Sequence, residues 1–259
     1  MASIGEIPLI VIVGQTATGK TALAIELAGK LNGEIICADS RTVYKSMDIG
    51  TAKPTKKERA LAPHHLLDVV DPDEPFTVVD FKTLTNQAID QIASRGKIPI
   101  MVGGSGLYVD SVLFDYSFSP ANTRRDQNNP RHLGKTVQVS KSDLRPNTIV
   151  LGLKKDRQEL KKIIIKRVEQ MVGGGLIDEV QEIERRYGRK IKALQAPGYR
   201  AFLQYINGKI TLEEAKELFI KNDLSLAKRQ LTWFRRNKSI HWVNDKTEAV
   251  ALTTTFLNK

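Results

Sequence analysis

The sequence predicts an α/β fold, in which a parallel sheet is flanked by helices and the C-terminal part is helical and basic. Apolar runs of strand length alternate along the chain with segments of helical spacing, and this alternation is typical of a parallel sheet covered on both faces. The charge is unevenly placed: residues 151–259 hold 23 Lys and Arg against 13 Asp and Glu, whereas residues 1–150 hold 17 against 16.

Four apolar runs predict the strands. They cover residues 9–13, 33–39, 97–102 and 148–153. Between the second and third runs, residues 78–94 have helical spacing and follow a turn-rich segment at 71–75. The first part of the chain is therefore expected to consist of strands linked by crossover helices.

Helices are predicted to dominate after residue 153. The first carries an apolar stripe at helical spacing, formed by Leu160, Ile163, Ile164, Val168 and Met171. Arg167 falls on the same stripe, where an arginine either extends to the surface or points into a cleft toward an anion. Three glycines at 173–175 end this helix, and further helices are predicted at 176–187, 212–219 and 226–234.

The first strand leads directly into a P-loop, the nucleotide-binding motif that joins a strand to a helix. The motif is formed by Gly14, Gln15, Thr16, Ala17, Thr18, Gly19, Lys20 and Thr21. Its backbone N–H groups and the helix N-terminus form an anion site, Lys20 adds positive charge, and the Thr21 hydroxyl suits Mg²⁺. The fold is therefore predicted to be P-loop NTPase-like and to bind a phosphorylated ligand.

Two further segments are expected to meet the P-loop. Residues 39–42 and 103–106 each follow a predicted strand, as residues 14–21 do. Ligands of open parallel sheets bind beyond the carboxyl ends of the strands. The three segments are therefore predicted to line one crevice.

Composition limits the partners and the location. The chain has 259 residues and a formal net charge of +11, and the basic second half indicates either a polyanionic partner or a solvated surface. No apolar stretch reaches the roughly 18 residues of a membrane span, and the N-terminus has no secretory signal pattern. Cys37 is the single cysteine and lies in an apolar run. We expect a cytoplasmic monomer without disulfides.

A polar segment at 117–147 interrupts the alternation and is predicted to be a loop. It divides the chain into a P-loop core at 1–116, the loop-like insert at 117–147, and a part at 148–243 that completes the core. Residues 244–259 are expected to form a C-terminal tail.

Four segments together resemble the tRNA dimethylallyltransferase family, the isopentenyl-diphosphate:tRNA transferases. They are the P-loop at 14–21, ADSRTVYKSMDIGTAKP at 38–54, GGSGLY at 103–108 and AKRQLTWFR at 227–235. The second is the most specific, because a P-loop NTPase in general has no such element. The resemblance covers roughly residues 8–116 and 148–243.

The resemblance implies transfer of a dimethylallyl group from dimethylallyl diphosphate to the N6 amine of an adenosine beside the tRNA anticodon. It implies that the P-loop and Mg²⁺ hold the diphosphate, and that Asp39 is the general base for the amine. It further implies that Arg167 and Ser105 contact the diphosphate, which favours the cleft position for Arg167.

The resemblance also implies a set of tRNA-binding residues. The flipped base would be met by residues that follow the second and third predicted strands, and the RNA backbone by a basic helix near the C-terminus. The set is Asp39, Ser40, Arg41, Thr42, Ser105, Lys228, Arg229 and Arg235.

Three departures from the family pattern affect these expectations. Thr42 stands where the family commonly has a glutamine, and Ile163 stands where it usually has a second arginine. The insert at 117–147 is short where typical bacterial members carry a helical tRNA-gripping subdomain. The basic residues left in this insert for RNA contact include Arg124, Arg125, Arg131 and Lys135.

The short insert keeps a second activity open, the prenylation of free adenine nucleotides by an adenylate isopentenyltransferase. A small-molecule kinase that uses ATP on the same P-loop is disfavoured by residues 38–54. An inactive RNA-binding relic is disfavoured because Lys20, Thr21, Asp39 and Arg167 are all present.

Overall fold

A computed structural model describes residues 6–117 and 143–258. Within these residues, six parallel strands form one sheet in the order β3-β2-β4-β1-β5-β6. The strands are β1 Leu9–Gly14, β2 Gly33–Cys37, β3 His64–His65, β4 Ile98–Gly103, β5 Thr148–Leu153 and β6 Ile240–Val243. The predicted α/β class and parallel sheet are confirmed.

Helices cover both faces of the sheet. In the described residues they are α1 Lys20–Leu31, α2 Lys56–Leu61, α3 Val78–Ser94, α4 Gly106–Leu113, α5 Arg157–Gly173, α6 Leu176–Tyr187, α7 Pro197–Ile206, α8 Leu212–Phe234 and α9 Lys246–Leu257. Residues 212–219 and 226–234 belong to one helix, α8, and not to two as predicted. The intervening residues contain no glycine or proline to end it.

The central strand β1 shows how the sheet separates two cores. Leu9, Val11 and Val13 point to one face, and Ile10 and Ile12 point to the other. This alternation follows from the two-residue period of a strand, and all five side chains are fully buried. A central parallel strand is apolar throughout because helices cover both of its faces.

The hydrophobic cores on the two faces of the sheet differ in size. The smaller core contains α1 and also Ala249 of α9, so residues 244–259 include a helix that packs on the sheet. The larger core is formed with α3, α4, α5, α6, α7 and α8. The C-terminal helices thus build most of one layer.

The insert predicted at 117–147 lies mainly outside the described residues, as do Arg124, Arg125, Arg131 and Lys135. At its C-terminal end, Arg145 is buried, and its Nη1 donates to the Ile7 carbonyl at 2.9 Å and to Thr148 Oγ1 at 3.1 Å. The end of this segment is therefore fixed to the sheet beside β1 and β5.

Glu179 on α6 holds the turn at residues 48–50. Its carboxylate accepts hydrogen bonds from the backbone N–H groups of Asp48, Ile49 and Gly50 at 2.7, 2.8 and 2.9 Å. It also accepts the Tyr199 hydroxyl at 2.6 Å. This carboxylate satisfies three consecutive backbone donors that have no strand or helix partner, so it fixes the DIGTAKP part of the 38–54 segment on the C-terminal helices.

In the part of the chain described here, no helix combines the length and apolarity needed to cross a bilayer.

We predict that Glu179→Gln lowers the free energy of unfolding by about 1–3 kcal/mol, because a neutral amide with one acceptor oxygen leaves backbone donors without a charged partner. Asp178→Asn is the matched control, since Asp178 is exposed and precedes Glu179 on the same helix. Urea unfolding of both variants is the measurement. Equal midpoints for the two variants would show that the Glu179 contacts contribute nothing to stability.

Candidate active site

The P-loop has the predicted setting between β1 and α1. Gly19 precedes the helix with φ of 89°, a left-handed conformation that glycine adopts without steric cost. Lys20 Nζ donates to the Gln15 carbonyl at 2.6 Å, and Thr18 Oγ1 donates to the same oxygen at 2.8 Å. The loop is thus closed on itself and presents the N-terminus of α1 toward the carboxyl edge of the sheet.

Lys20 lies in a site with other charged groups. Burial lowers its pKa to about 8, whereas the carboxylate of Asp39 raises the pKa and the guanidinium of Arg167 lowers it. These couplings place Asp39 and Arg167 within electrostatic reach of the P-loop lysine. The three charged residues predicted for the crevice therefore lie together.

Asp39 follows the end of β2 and is half-buried. The Arg41 backbone N–H donates to Asp39 Oδ1 at 2.8 Å. Burial raises the pKa of the Asp39 carboxyl, while the backbone N–H groups of Arg41 and Thr42 and the charge of Lys20 oppose the rise. A carboxylate with a raised pKa is a stronger base than one in water.

The segment after β4 approaches Asp39 closely. A Cβ on Gly103 would lie 1.9 Å from the Ala38 carbonyl oxygen, so a side chain at this position is excluded. Ser105 Oγ accepts the Ser40 backbone N–H at 3.0 Å. Because β2, β4 and β1 are neighbours in the sheet, the three predicted segments meet at one edge.

Arg167 reaches from α5 into this edge. Its Nη2 donates to Thr16 Oγ1 at 3.0 Å and to Asp223 Oδ2 at 2.5 Å. Of the two positions left open by the helical spacing, the structure has the cleft position and not the surface one. Arg167 also lines a cavity of about 920 Å³ between residues 45–59 and α5.

Gln230 is a site residue that the sequence analysis did not identify. It is buried on α8, and its side-chain oxygen accepts the Thr16 backbone N–H at 2.7 Å. Its amide nitrogen donates to the Gly104 carbonyl at 3.1 Å. One side chain therefore links the P-loop to the segment after β4.

The helical spacing of residues in α8 could have identified its buried face as part of the site. Asp223, Ala227, Gln230 and Phe234 occupy positions i, i+4, i+7 and i+11, which form one face of a helix. Two polar residues on an otherwise apolar face indicate polar partners beneath it. Asp223 and Gln230 find these partners at Arg167 and Thr16.

The outer face of α8 is basic. Lys228, Arg229 and Arg235 are exposed, as a contact with an RNA backbone requires. Trp233 is half-buried beside Gly106 and donates Nε1–H to Asp110 Oδ2 at 2.7 Å. The Arg236 guanidinium lies 5.6 Å from the Trp233 ring centroid. Trp233 thus packs between α8 and α4.

Two of the departures from the family pattern, Thr42 and Ile163, lie in the described residues. Thr42 is buried, and its hydroxyl has no hydrogen-bond partner in the described parts of the chain. The adjacent Arg41 and Ser40 are half-buried. Ile163 is half-buried on α5, one turn before Arg167, and offers no charge there.

The described residues contain no cluster of three or more His, Cys, Asp or Glu side chains arranged to hold a metal ion. A divalent ion that accompanies bound phosphates takes part of its coordination from them and from water. This is the usual arrangement for Mg²⁺, and Thr21, at the second position of α1, supplies a hydroxyl of suitable chemistry.

Two family models match the chain. The model described as IPP transferase matches residues 42–137 and 127–237, and the model described as Isopentenyl transferase matches residues 7–68. The first model alone covers more than half of the chain.

Relatives match along nearly the whole length. A tRNA dimethylallyltransferase of Desulfitobacterium hafniense strain Y51 is 40% identical over 285 residues, with 91% of each chain covered. One of Bacillus subtilis strain 168 is 36% identical, with 91% of this chain and 90% of the relative covered. The first alignment is longer than the 259 residues of this chain, so the relative has residues without a counterpart here.

Solved structures have the same fold. The crystal structure of the full-length tRNA isopentenylpyrophosphate transferase of Bacillus halodurans gives a TM-score of 0.82 at 34% identity, with 98% of this chain and 96% of that one covered. A eukaryotic dimethylallyltransferase acting on tRNA gives 0.85 at 25% identity, with 98% and 80% covered.

We predict that Gln230→Leu weakens the binding of inorganic pyrophosphate by about tenfold or more, because the Thr16 N–H and the Gly104 carbonyl lose their shared partner and the P-loop loosens. Thr232→Ala, an exposed change on the same helix, is the control. Calorimetric titration of both variants is the measurement. Wild-type affinity in Gln230→Leu would show that this link does not organise the P-loop.

We also predict that pyrophosphate affinity falls as the pH rises through about 8, the pKa of Lys20, because the lysine loses its positive charge above that value. Lys20→Arg keeps its charge throughout this range. The affinity of the wild type should therefore fall relative to that of Lys20→Arg by up to about tenfold per pH unit, because the protonation of pyrophosphate itself affects both proteins equally. Parallel pH profiles for the two proteins would contradict this assignment.

Proposed function

The chain belongs to the IPP transferase family, and from this premise we propose that it transfers a dimethylallyl group from dimethylallyl diphosphate to the N6 amine of an adenosine next to the tRNA anticodon. The observation that carries the proposal is the meeting of Lys20, Asp39 and Arg167 at one edge of the sheet. A phosphate cradle and a carboxylate base are the two parts that this reaction needs.

The donor half of the site is assigned to the P-loop. The N–H groups of residues 14–21, the ammonium of Lys20 and the guanidinium of Arg167 supply the positive field in which negative charge grows on the leaving pyrophosphate. Ser105 is assigned to the same group, with its hydroxyl beside Ser40. These groups act most strongly in the transition state, because the charge on the leaving group increases as the carbon–oxygen bond breaks.

Mg²⁺ is proposed as the cofactor of this half. When bound, it supplies further neutralisation of the diphosphate charge. Thr21 is the residue that would hold it from the protein side, together with oxygens of the diphosphate and water.

The acceptor half is assigned to Asp39 and its neighbours. The adenine amine is a weak nucleophile, and it must lose a proton as its nitrogen bonds to carbon. Asp39, whose pKa is raised by burial, accepts that proton. Ser40, Arg41 and Thr42, which follow it in the chain, are assigned to the edge of a flipped base. Ser40 and Arg41 are half-buried, whereas the Thr42 hydroxyl is buried and would have to be uncovered for this contact.

The RNA backbone is assigned to the exposed basic residues at the C-terminal end of α8 and directly after it. Lys228, Arg229 and Arg235 neutralise phosphates and thereby orient the anticodon loop without reading its sequence. The binding is expected to weaken as salt is raised. The exposed residues assigned to RNA and the buried Gln230, which reaches the P-loop, point in different directions from the same end of α8.

The experiment must distinguish the proposed modification of tRNA from the prenylation of free adenine nucleotides. The protein is incubated with dimethylallyl diphosphate, magnesium and either an anticodon stem-loop or AMP, and the products are identified by mass spectrometry. We expect prenylated stem-loop RNA. Prenylated AMP without prenylated RNA would overturn the proposal in favour of an adenylate isopentenyltransferase.

The same assay tests the assignment of Asp39 as the general base. We predict that Asp39→Asn retains pyrophosphate binding but loses about 10²–10⁴-fold in kcat, the usual contribution of a general base. Ser46→Ala is the control, because Ser46 is exposed and lies in the same 38–54 segment without touching Asp39 in the described contacts. A wild-type rate for Asp39→Asn would remove Asp39 as the base.

A further inference from the structure

The ion pair between Arg167 and Asp223 has no role in the function proposed above. Both side chains are mostly buried, with 21% of Arg167 and 13% of Asp223 exposed. A carboxylate beside an anion cradle repels the anion, so Asp223 weakens the field that Arg167 and Lys20 would otherwise exert. Its presence on the buried face of α8 calls for a physical reason.

The site pairs its cations with carboxylates. Lys20 and Arg167 carry two positive charges, Asp39 and Asp223 carry two negative ones, and Arg41 is a further positive charge that acts on Asp39. Asp39 acts electrostatically on both Lys20 and Asp223, so the four groups belong to one cluster. Unpaired buried charges are costly, and Lys20 and Arg167 each have a carboxylate nearby. A diphosphate that enters this cluster adds negative charge beside both carboxylates.

We propose that Asp223 is the resting partner of Arg167, that the donor's diphosphate replaces it on the guanidinium, and that Asp223 takes up a proton from solvent when this happens. The inference rests on the proposed donor site. It makes Asp223 a positioning residue that acts through Arg167, and it couples donor binding to protonation.

The hydrogen bonds of Arg167 support the exchange. Nη2 donates to Thr16 on the P-loop and to Asp223 on α8, so Asp223 occupies a donor that lies directly at the cradle. The Nε group is buried and has no partner in the described residues. A diphosphate oxygen that displaced Asp223 would gain a charge-assisted hydrogen bond next to Thr16.

The surroundings of Asp223 explain the uptake of a proton. Burial raises the pKa of its carboxyl, and Arg167 opposes this rise, while Asp39 adds to it. The helices α7 and α4 also pack against α8, but they bring no charged group to bear on Asp223 in the described residues. If Arg167 turns to the diphosphate, the opposing effect is lost and a new negative charge arrives, so the pKa rises further.

The sign of the pH dependence follows. Because the complex holds one more proton than the free protein, affinity for the diphosphate increases as the pH falls. Lys20 stays charged below its pKa of about 8, so it does not produce this trend at lower pH. The protonation of pyrophosphate itself changes with pH in the same way for every variant. Differences between the variants in affinity and proton uptake therefore report on Asp223.

The test uses inorganic pyrophosphate with magnesium, the full chain, and calorimetric titration from about pH 5.5 to 7.5, below the pKa of Lys20. Asp223→Asn removes the titrating group and Asp223→Glu retains it. Glu217→Gln removes one negative charge from an exposed position of the same helix and serves as the matched control. Proton uptake is obtained by repeating each titration in buffers of different ionisation enthalpy.

We expect Asp223→Asn to bind pyrophosphate about tenfold more tightly at the upper end of this range, the effect of one pKa unit of coupling, and to take up fewer protons. Asp223→Glu and Glu217→Gln should match the wild type in proton uptake. Weaker or unchanged binding by Asp223→Asn with wild-type uptake would overturn the inference, since Asp223 would then be a fixed support for Arg167.

Infrared difference spectra of the wild type with and without pyrophosphate provide a second measurement that needs no variant to fold. A protonated carboxyl band should appear on binding, and its absence would also overturn the exchange. A wild-type protein that fails to bind pyrophosphate would remove the donor site and the proposed function with it. Tight binding without protonation would remove only the exchange.

Discussion

The site depends on the contact between one side chain and the P-loop. Gln230 accepts the N–H of Thr16 and donates to the carbonyl of Gly104, so α8 connects the ends of β1 and β4. Both partners are backbone groups at a point where the chain has left its strand and has no ladder partner. A buried amide that satisfies a donor and an acceptor together fixes their separation. The relative position of the phosphate cradle and the acceptor segment follows from this link.

Local sequence patterns were sufficient to predict the P-loop and most strands of the sheet. The P-loop could be identified because its chemistry lies within eight consecutive residues, and the helix at Val78–Ser94 and the strand at Thr148–Leu153 have the predicted bounds. The sequence also placed Asp39 and Ser105 at strand ends. Adjacent parallel strands bring such ends together whatever the intervening chain does.

The same local patterns could not predict contacts between residues that are far apart in the sequence. Gln230 and Thr16 are separated by 214 positions, and Glu179 lies 129 to 131 positions from the backbone groups that it binds. Spacing indicates that Asp223 and Gln230 share a helical face, but only the packed structure shows what that face contacts. The prediction of two helices at 212–219 and 226–234 was wrong, because residues 220–225 contain no glycine or proline that would end the helix.

The order of synthesis gives the Gln230 contact a further consequence. The P-loop residue Thr16 is made 214 residues before its closing partner Gln230, so a nascent chain holds an unfinished cradle until α8 has been made. Domains generally fold as units once their elements are available. Ligand capture by this protein therefore waits for the synthesis of α8, and a chain released before α8 lacks the Gln230 link between the two loops.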